Sequence, residues 1–178
     1  MEVRGSVELR VLAGRKVGGH AAVFNQESQD LGGFVEIVLP GAFSKSLASG
    51  RDVHALLSHK DELILGRVSA GTLALSEDSR GLAFEIDLPE TTAGDDVLTS
   101  VTRGDLRGAS FAFKTPPGGD RWTQKNGMTV RELQTVELHE ISLVSNPAYM
   151  NTDVARRAMA DLAVCPRLAN ARRWLETV

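Results

Sequence analysis

The 178-residue chain is short of several things at once, and each shortage excludes something. It has one cysteine, Cys165, so no internal disulfide framework is possible and a reducing compartment fits. No run nears the ~18 consecutive apolar residues of a membrane span. The opening MEVRGSVELRVLAGRK interleaves charge every few positions, unlike the apolar core of a signal peptide. Charge of one sign is equally scarce: 20 basic against 23 acidic residues give a net −3, with no positive field to hold nucleic acid or an anionic membrane. Aromatics are only 5% of the chain, so the interior is modest. These absences lead us to expect one soluble cytoplasmic domain with a tail, and neither nucleic acid nor membrane as partner.

Motif scanning removes further classes. No GxGxxG or GxxxxGK[ST] loop occurs, so phosphate cradling has no support. His20, His54, His59 and His139 have no i, i+4 partner. His139-Glu140 opens like HExxH, but Leu143 stands where the second histidine belongs and the segment alternates like a strand. We expect no metal and no cofactor. Gly108-Ala109-Ser110-Phe111-Ala112 falls one glycine short of the GxSxG elbow, which also needs a larger α/β sheet.

What is present is strand grammar. Short stretches divided by Gly, Asn, Asp and Pro fill the first 145 residues: Val3–Val11, Ala21–Phe24, Phe34–Leu39, Val53–Leu57, Leu63–Val68, Thr72–Leu75, Leu82–Leu88, Ala109–Phe113, Thr129–Leu133 and Val136–Val144. Leu82, Phe84, Ile86 and Leu88 point one way and Ala83, Glu85 and Asp87 the other, as in antiparallel sheets wet on one face. A barrel or sandwich follows. Two helices interrupt it, Pro40–Gly50 and Thr92–Arg103, the second with Val97, Leu98 and Val101 as its apolar stripe and Gly104 as its stop. Pro116-Pro117-Gly118-Gly119 marks Thr115–Gly127 as an irregular surface loop or flap. After Asn146-Pro147 the periodicity turns helical, so residues 1–150 are expected as the main domain and 151–178 as a helical tail. That tail carries five arginines against three acids and suits a docking, tethering or self-cleavage region, beside the plainer reading of a packed terminal helix.

Three segments carry chemistry. His59 ends an apolar strand in Leu56-Leu57-Ser58-His59-Lys60-Asp61, a place where a histidine is more often simply packed. Ser110 alternates with Phe111 and Phe113, so phenylalanines in the core would turn its hydroxyl to the opposite face; a strand serine is otherwise a small polar spacer. Glu140 interrupts the apolar strand around Ile141 and Leu143, and a carboxylate there needs a partner. Hydroxyl, imidazole and carboxylate drawn from three strands are the ingredients of nucleophilic acyl transfer.

In order along the chain, these segments resemble the tailed-phage prohead (capsid maturation) protease family, related to the herpesvirus assembly proteases. The likeness rests on Gly18-Gly19-His20-Ala21-Ala22-Val23-Phe24-Asn25, on Pro40-Gly41-Ala42-Phe43, and on Ser58-His59-Lys60 with Leu65-Gly66-Arg67. It continues through Arg80-Gly81-Leu82-Ala83-Phe84 with Leu88-Pro89, Gly108 to Phe113, and Glu140-Ile141-Ser142-Leu143-Val144 with Pro147-Ala148-Tyr149. It spans about residues 16–153. It implies a closed, mostly antiparallel β-barrel flanked by short helices, with Ser110 as nucleophile, His59 as general base and Glu140 as third member. His139 is a rival for that third place only if the strand register slips by one. Ser58 and Lys60 depart from the family's usual Asn and Asp, and Ala112 from its usual Gly. Arg156 or Arg157 is the implied side-chain candidate beside backbone N–H groups for the oxyanion.

The resemblance implies a serine endopeptidase inside the procapsid in the host bacterial cytoplasm. It would act on scaffold protein, on the scaffolding segment of the major capsid protein precursor and on itself, as a homodimer. Two other classes compete: a catalytically silent scaffold- or capsid-binding module, and a small-molecule serine esterase.

Overall fold

The computed structural model describes residues 1–6 and 9–145. Its order is β1 (Glu2–Ser6), β2 (Leu9–Val11), β3 (Lys16–Val23), β4 (Phe34–Val38), α1 (Ser44–Ala48), β5 (His54–Leu57), β6 (Lys60–Arg67) and β7 (Leu73–Glu77). Then follow β8 (Gly81–Asp87), α2 (Thr92–Arg103), β9 (Gly108–Lys114), β10 (Asp120–Lys125), β11 (Met128–Leu133) and β12 (Glu137–Val144). The strands form three sheets, in the orders β1-β9-β12-β5-β6, β2-β3-β8-β7 and β10-β11-β4. Most neighbours are antiparallel; β12 with β5 and β11 with β4 are parallel.

None of these sheets closes, which corrects the expected barrel. The reason is visible in the first strand. The stretch expected as one strand, Val3–Val11, is two: β1 pairs with β9 in the five-stranded sheet, while β2 pairs with β3 in the four-stranded one. Hydrophobic alternation tells which face of a strand is buried, but not which neighbour it takes. A second correction concerns the expected loop Thr115–Gly127. Its latter half is β10, joined to β11 by Asn126-Gly127 with φ of 52° and 78°. Asn-Gly is the preferred two-residue hairpin turn because both residues tolerate φ > 0. The expected tail, 151–178, lies outside the described residues.

One shared core lies between the five- and four-stranded sheets. Leu82, Phe84 and Ile86 of β8 meet Ala109, Phe111 and Phe113 of β9 and Leu138, Ile141 and Leu143 of β12 in a single buried cluster. Phe43 packs edge-on to Phe111 at 5.3 Å between centroids, and Phe111 stacks on Phe113 at 5.2 Å. Burying one such side chain stabilises by roughly 1.5–3 kcal/mol, so β9 cannot turn over without losing two of them. The α2 helix closes one end of the core with Val97 and Val101. It is capped by Thr91 Oγ1, which accepts from Gly94 N–H at 3.3 Å, and stopped by Gly104 at φ 80°.

At the β7–β8 turn, Asp78 accepts hydrogen bonds from the His20 ring at 2.8 Å and from the Gly81 and Arg80 N–H groups. The first of these, with the two N–H donors, holds its carboxyl down at about 2. A depressed carboxyl contributes stability that is present above its unfolded value near 4 and disappears as pH falls through 2. Thermal melts of Asp78→Asn and the unaltered chain should therefore differ at pH 5 and converge as pH approaches 2.

Candidate active site

The local sequence of β12 sets the site. Leu138 is paired with Phe113 and Glu140 with Ala112, so His139 is an extra residue, a β-bulge. In a regular strand Leu138 and Glu140 would share a face. The bulge instead leaves Leu138, Ile141 and Leu143 in the core and turns Glu140 and Ser142 to the other face. On β9, Phe111 and Phe113 fill the core, so Ser110 and Ala112 share that opposite face, and Ser110 lies directly across from Ser142.

His59 arrives from a third strand pair. Leu57 of β5 pairs with Lys60 of β6, leaving Ser58-His59 as a two-residue turn with φ of 54° and 59°. Both are left-handed, as the favoured hairpin turn requires, but neither is Gly or Asn, and such residues cost of order 1–3 kcal/mol each. Contacts with β12 hold the turn in place. Ser58 N–H donates to the Leu143 carbonyl at 3.0 Å, and His59 N–H donates to Ser142 Oγ at 3.1 Å.

Held there, the His59 ring places Nδ1 2.5 Å from Glu140 Oε1. The pair is sheltered, with side-chain exposures of 28% and 10%. Among the described residues His59 Nε2 is buried and has no hydrogen-bond partner. A carboxylate at Nδ1 accepts a hydrogen bond from the ring N–H, which keeps the proton on Nδ1 and leaves Nε2 as the nitrogen with the free lone pair. A buried polar atom without a partner is rare enough to need an explanation, and readiness to accept a proton is one.

The structure thus brings His59 and Glu140 together. It places Ser110 on the same face but not in their chain of hydrogen bonds: Ser110 is wholly buried, and its hydroxyl donates to the Arg4 carbonyl of β1 at 2.7 Å. His139, as the bulge residue, stands apart; burial, then the Arg51 and Lys114 charges, push its imidazole down. Arg67 hydrogen-bonds Asp52 through Nε at 3.0 Å, which holds that carboxyl well below its usual range and clamps the start of β5. Pro147, Ala148, Tyr149, Arg156 and Arg157 lie outside the described residues. Among the described residues, no group of His, Cys, Asp and Glu could hold a metal ion, and no helix is long and apolar enough to cross a membrane.

Sequence reasoning did not single out Ser142, although a second polar residue two places after Glu140 in an apolar strand was its signal. It also missed a buried charge cluster on the face of the sheet opposite to Ser110, against Phe113. Glu36, 3% exposed, meets Arg4 Nε at 2.7 Å and Arg131 Nη1 at 3.1 Å. Arg131 also reaches Asp120 through Nε at 2.7 Å and Glu2 through Nη2 at 3.0 Å. Burial raises the Glu36 carboxyl above its ordinary range in spite of both guanidiniums. For Glu2 burial acts the same way, but Arg131's hydrogen bonds and charge outweigh it and hold that carboxyl low.

An imidazole locked by a carboxylate lies across one intervening strand from a serine on a mostly β scaffold, residue types of the kind a serine hydrolase uses. The match to known families narrows the class: the family model described as caudovirus prohead serine protease covers residues 6–163, and the chain belongs to that family. No curated protein and no solved structure matches it.

If Ser142 is the clamp on the strained turn, Ser142→Ala leaves the His59 N–H without its acceptor. Denaturant unfolding should show a loss of about 1–3 kcal/mol. Ser58→Asn, which tolerates left-handed backbone better, should shift the midpoint upward.

Proposed function

We propose that the chain is the endopeptidase of procapsid maturation, working through Ser110, His59 and Glu140. The observation that carries this reading is the His59–Glu140 pair with Nε2 left unpaired. Ser110 Oγ attacks the carbonyl carbon of a peptide bond while His59 Nε2 removes its proton, and Glu140 stabilises the imidazolium. That proton passes to the leaving amine, and water then attacks the acyl-serine by the same route to free the enzyme. For this to begin, the Ser110 hydroxyl must exchange the Arg4 carbonyl for Nε2. Ser110 and Ser142 are cross-strand partners and Ser142 touches the His59 backbone, but β12 lies between β9 and the β5–β6 turn, so the exchange spans two strand spacings of about 5 Å each.

Family membership supports capsid components as partners. The proposed substrates are the scaffold protein, the scaffolding segment of the major capsid protein precursor and the chain itself. Cleavage inside the assembled procapsid in the host cytoplasm would make assembly irreversible. A homodimer, a tail at 151–178 that tethers the enzyme to scaffold, and kinship with the herpesvirus assembly proteases belong to the same proposal. They rest on the ordered motifs rather than on contacts.

Co-expression with the capsid precursor tests the proposal on gels. The unaltered chain should yield shortened capsid protein. Ser110→Ala and His59→Ala should leave it full-length, and Glu140→Gln should slow cleavage at least a hundredfold. Equal processing by the unaltered chain and Ser110→Ala would overturn the assignment. Uncut precursor in every case would favour a silent binding module.

A further inference from the structure

The Ser110 hydroxyl is paired to a peptide carbonyl, and that carbonyl belongs to the chain's own edge strand. Among the described residues β1 pairs with β9 alone, from Glu2 opposite Phe113 to Ser6 opposite Ala109. Gly5, opposite Ser110, adds no side chain there. Glu2 and Arg4 lie two residues apart on one face of the strand, and both enter the buried charge cluster. Arg4 makes two contacts with Glu36, Nε to Oε1 at 2.7 Å and Nη2 to Oε2 at 3.0 Å, and its guanidinium lies 5.8 Å from the Phe113 ring centroid. A one-residue slip of β1 would turn both charges to the other face and strand them. The strand is therefore seated by side-chain chemistry as well as by its ladder. Two grooves of about 400 Å³ lie elsewhere, and neither is lined by Ser110, His59 or Glu140.

We infer that the β9 edge under Glu2–Ser6 is the docking edge for the substrate, and that β1 is its resident occupant. An extended segment of capsid or scaffold protein carrying an arginine or lysine displaces β1, sets that cation against Glu36 and brings its own main chain to Ser110. This deepens the proteolytic reading and rests on it. Strand addition at an open edge supplies main-chain hydrogen bonds to any sequence, while alternate side chains supply selectivity. The charges left when β1 departs fix the sign of that selectivity. Glu36 and Asp120 then face Arg131 alone, an imbalance that is costly inside a protein and that an incoming cation corrects.

The test reads binding, not cleavage, and uses the full chain carrying His59→Ala so that no peptide is consumed. Val3 and Ala112 are cross-strand partners, so Val3→Cys and Ala112→Cys, with the native thiol removed as Cys165→Ser, allow β1 to be locked by oxidation and freed by reduction. The probe is a fluorescent peptide of sequence MEVRGSV, followed by anisotropy. The reduced protein should bind it at least tenfold more tightly than the oxidised protein, and replacing the peptide's arginine by alanine should weaken binding at least tenfold. Equal affinity of locked and free protein, indifference to the arginine, or no binding to the reduced protein would each overturn the inference. Hydrogen exchange on the His59→Ala chain without the cysteine changes gives a second reading: added peptide should speed exchange in β1 while β9 stays protected, and unchanged β1 exchange would count against it. Capsid processing on gels judges the proteolytic reading separately, so either can fail alone.

Discussion

One extra residue in β12 is the constraint on which the site depends. A strand that alternates strictly must commit Leu138 and Glu140 to the same face. It would then either bury a carboxylate in the core, at several kcal/mol, or expose a leucine, at roughly 1.5–3 kcal/mol. The bulge at His139 removes the conflict. Residues on one side of it pack the shared core, and Glu140 and Ser142 on the other face meet the histidine turn. The same strand is thus core wall and floor of the candidate site.

The costs of the site are spread over what surrounds it. The left-handed Ser58-His59 turn is disfavoured by itself and is held by two hydrogen bonds to β12. A buried ion cluster of two arginines and three acids is a poor stabiliser in isolation, since desolvation offsets most of the attraction. It nevertheless fixes the register of β1 against β9 through Glu2 and Arg4. Behind both, the Phe43, Phe111 and Phe113 rings hold β9 so that Ser110 can face only one way. Rigid packing on one face and strained polar geometry on the other is a common division between scaffold and site.

Much of this was legible in the residue order, where alternation carries information. Phe111 and Phe113 in the core imply Ser110 on the reverse face, and a lone Glu140 in an apolar strand implies a partner, which the structure supplies as His59. The second helix is legible from its apolar stripe, Val97, Leu98 and Val101, and its stop at Gly104, because both depend on local backbone. Closure into a barrel was wrong because pairing is a long-range choice: nothing in Val3–Val11 announces that its halves join different sheets. The hairpin β10–β11 was hidden by the prolines before it, although Asn126-Gly127 announced it. Glu36 and Arg131 were missed because each looks like an ordinary surface charge until β1, β4 and β11 come together.

In the proposed mechanism Glu140 holds His59 so that one serine, Ser110, is activated. Labelling with a fluorophosphonate and mapping the adduct by peptide mass spectrometry tests it most directly. A single adduct on Ser110 is expected, and it should disappear when His59 is replaced by alanine. An adduct on Ser142 or any other serine, or one on Ser110 that forms equally well without the imidazole, would contradict it.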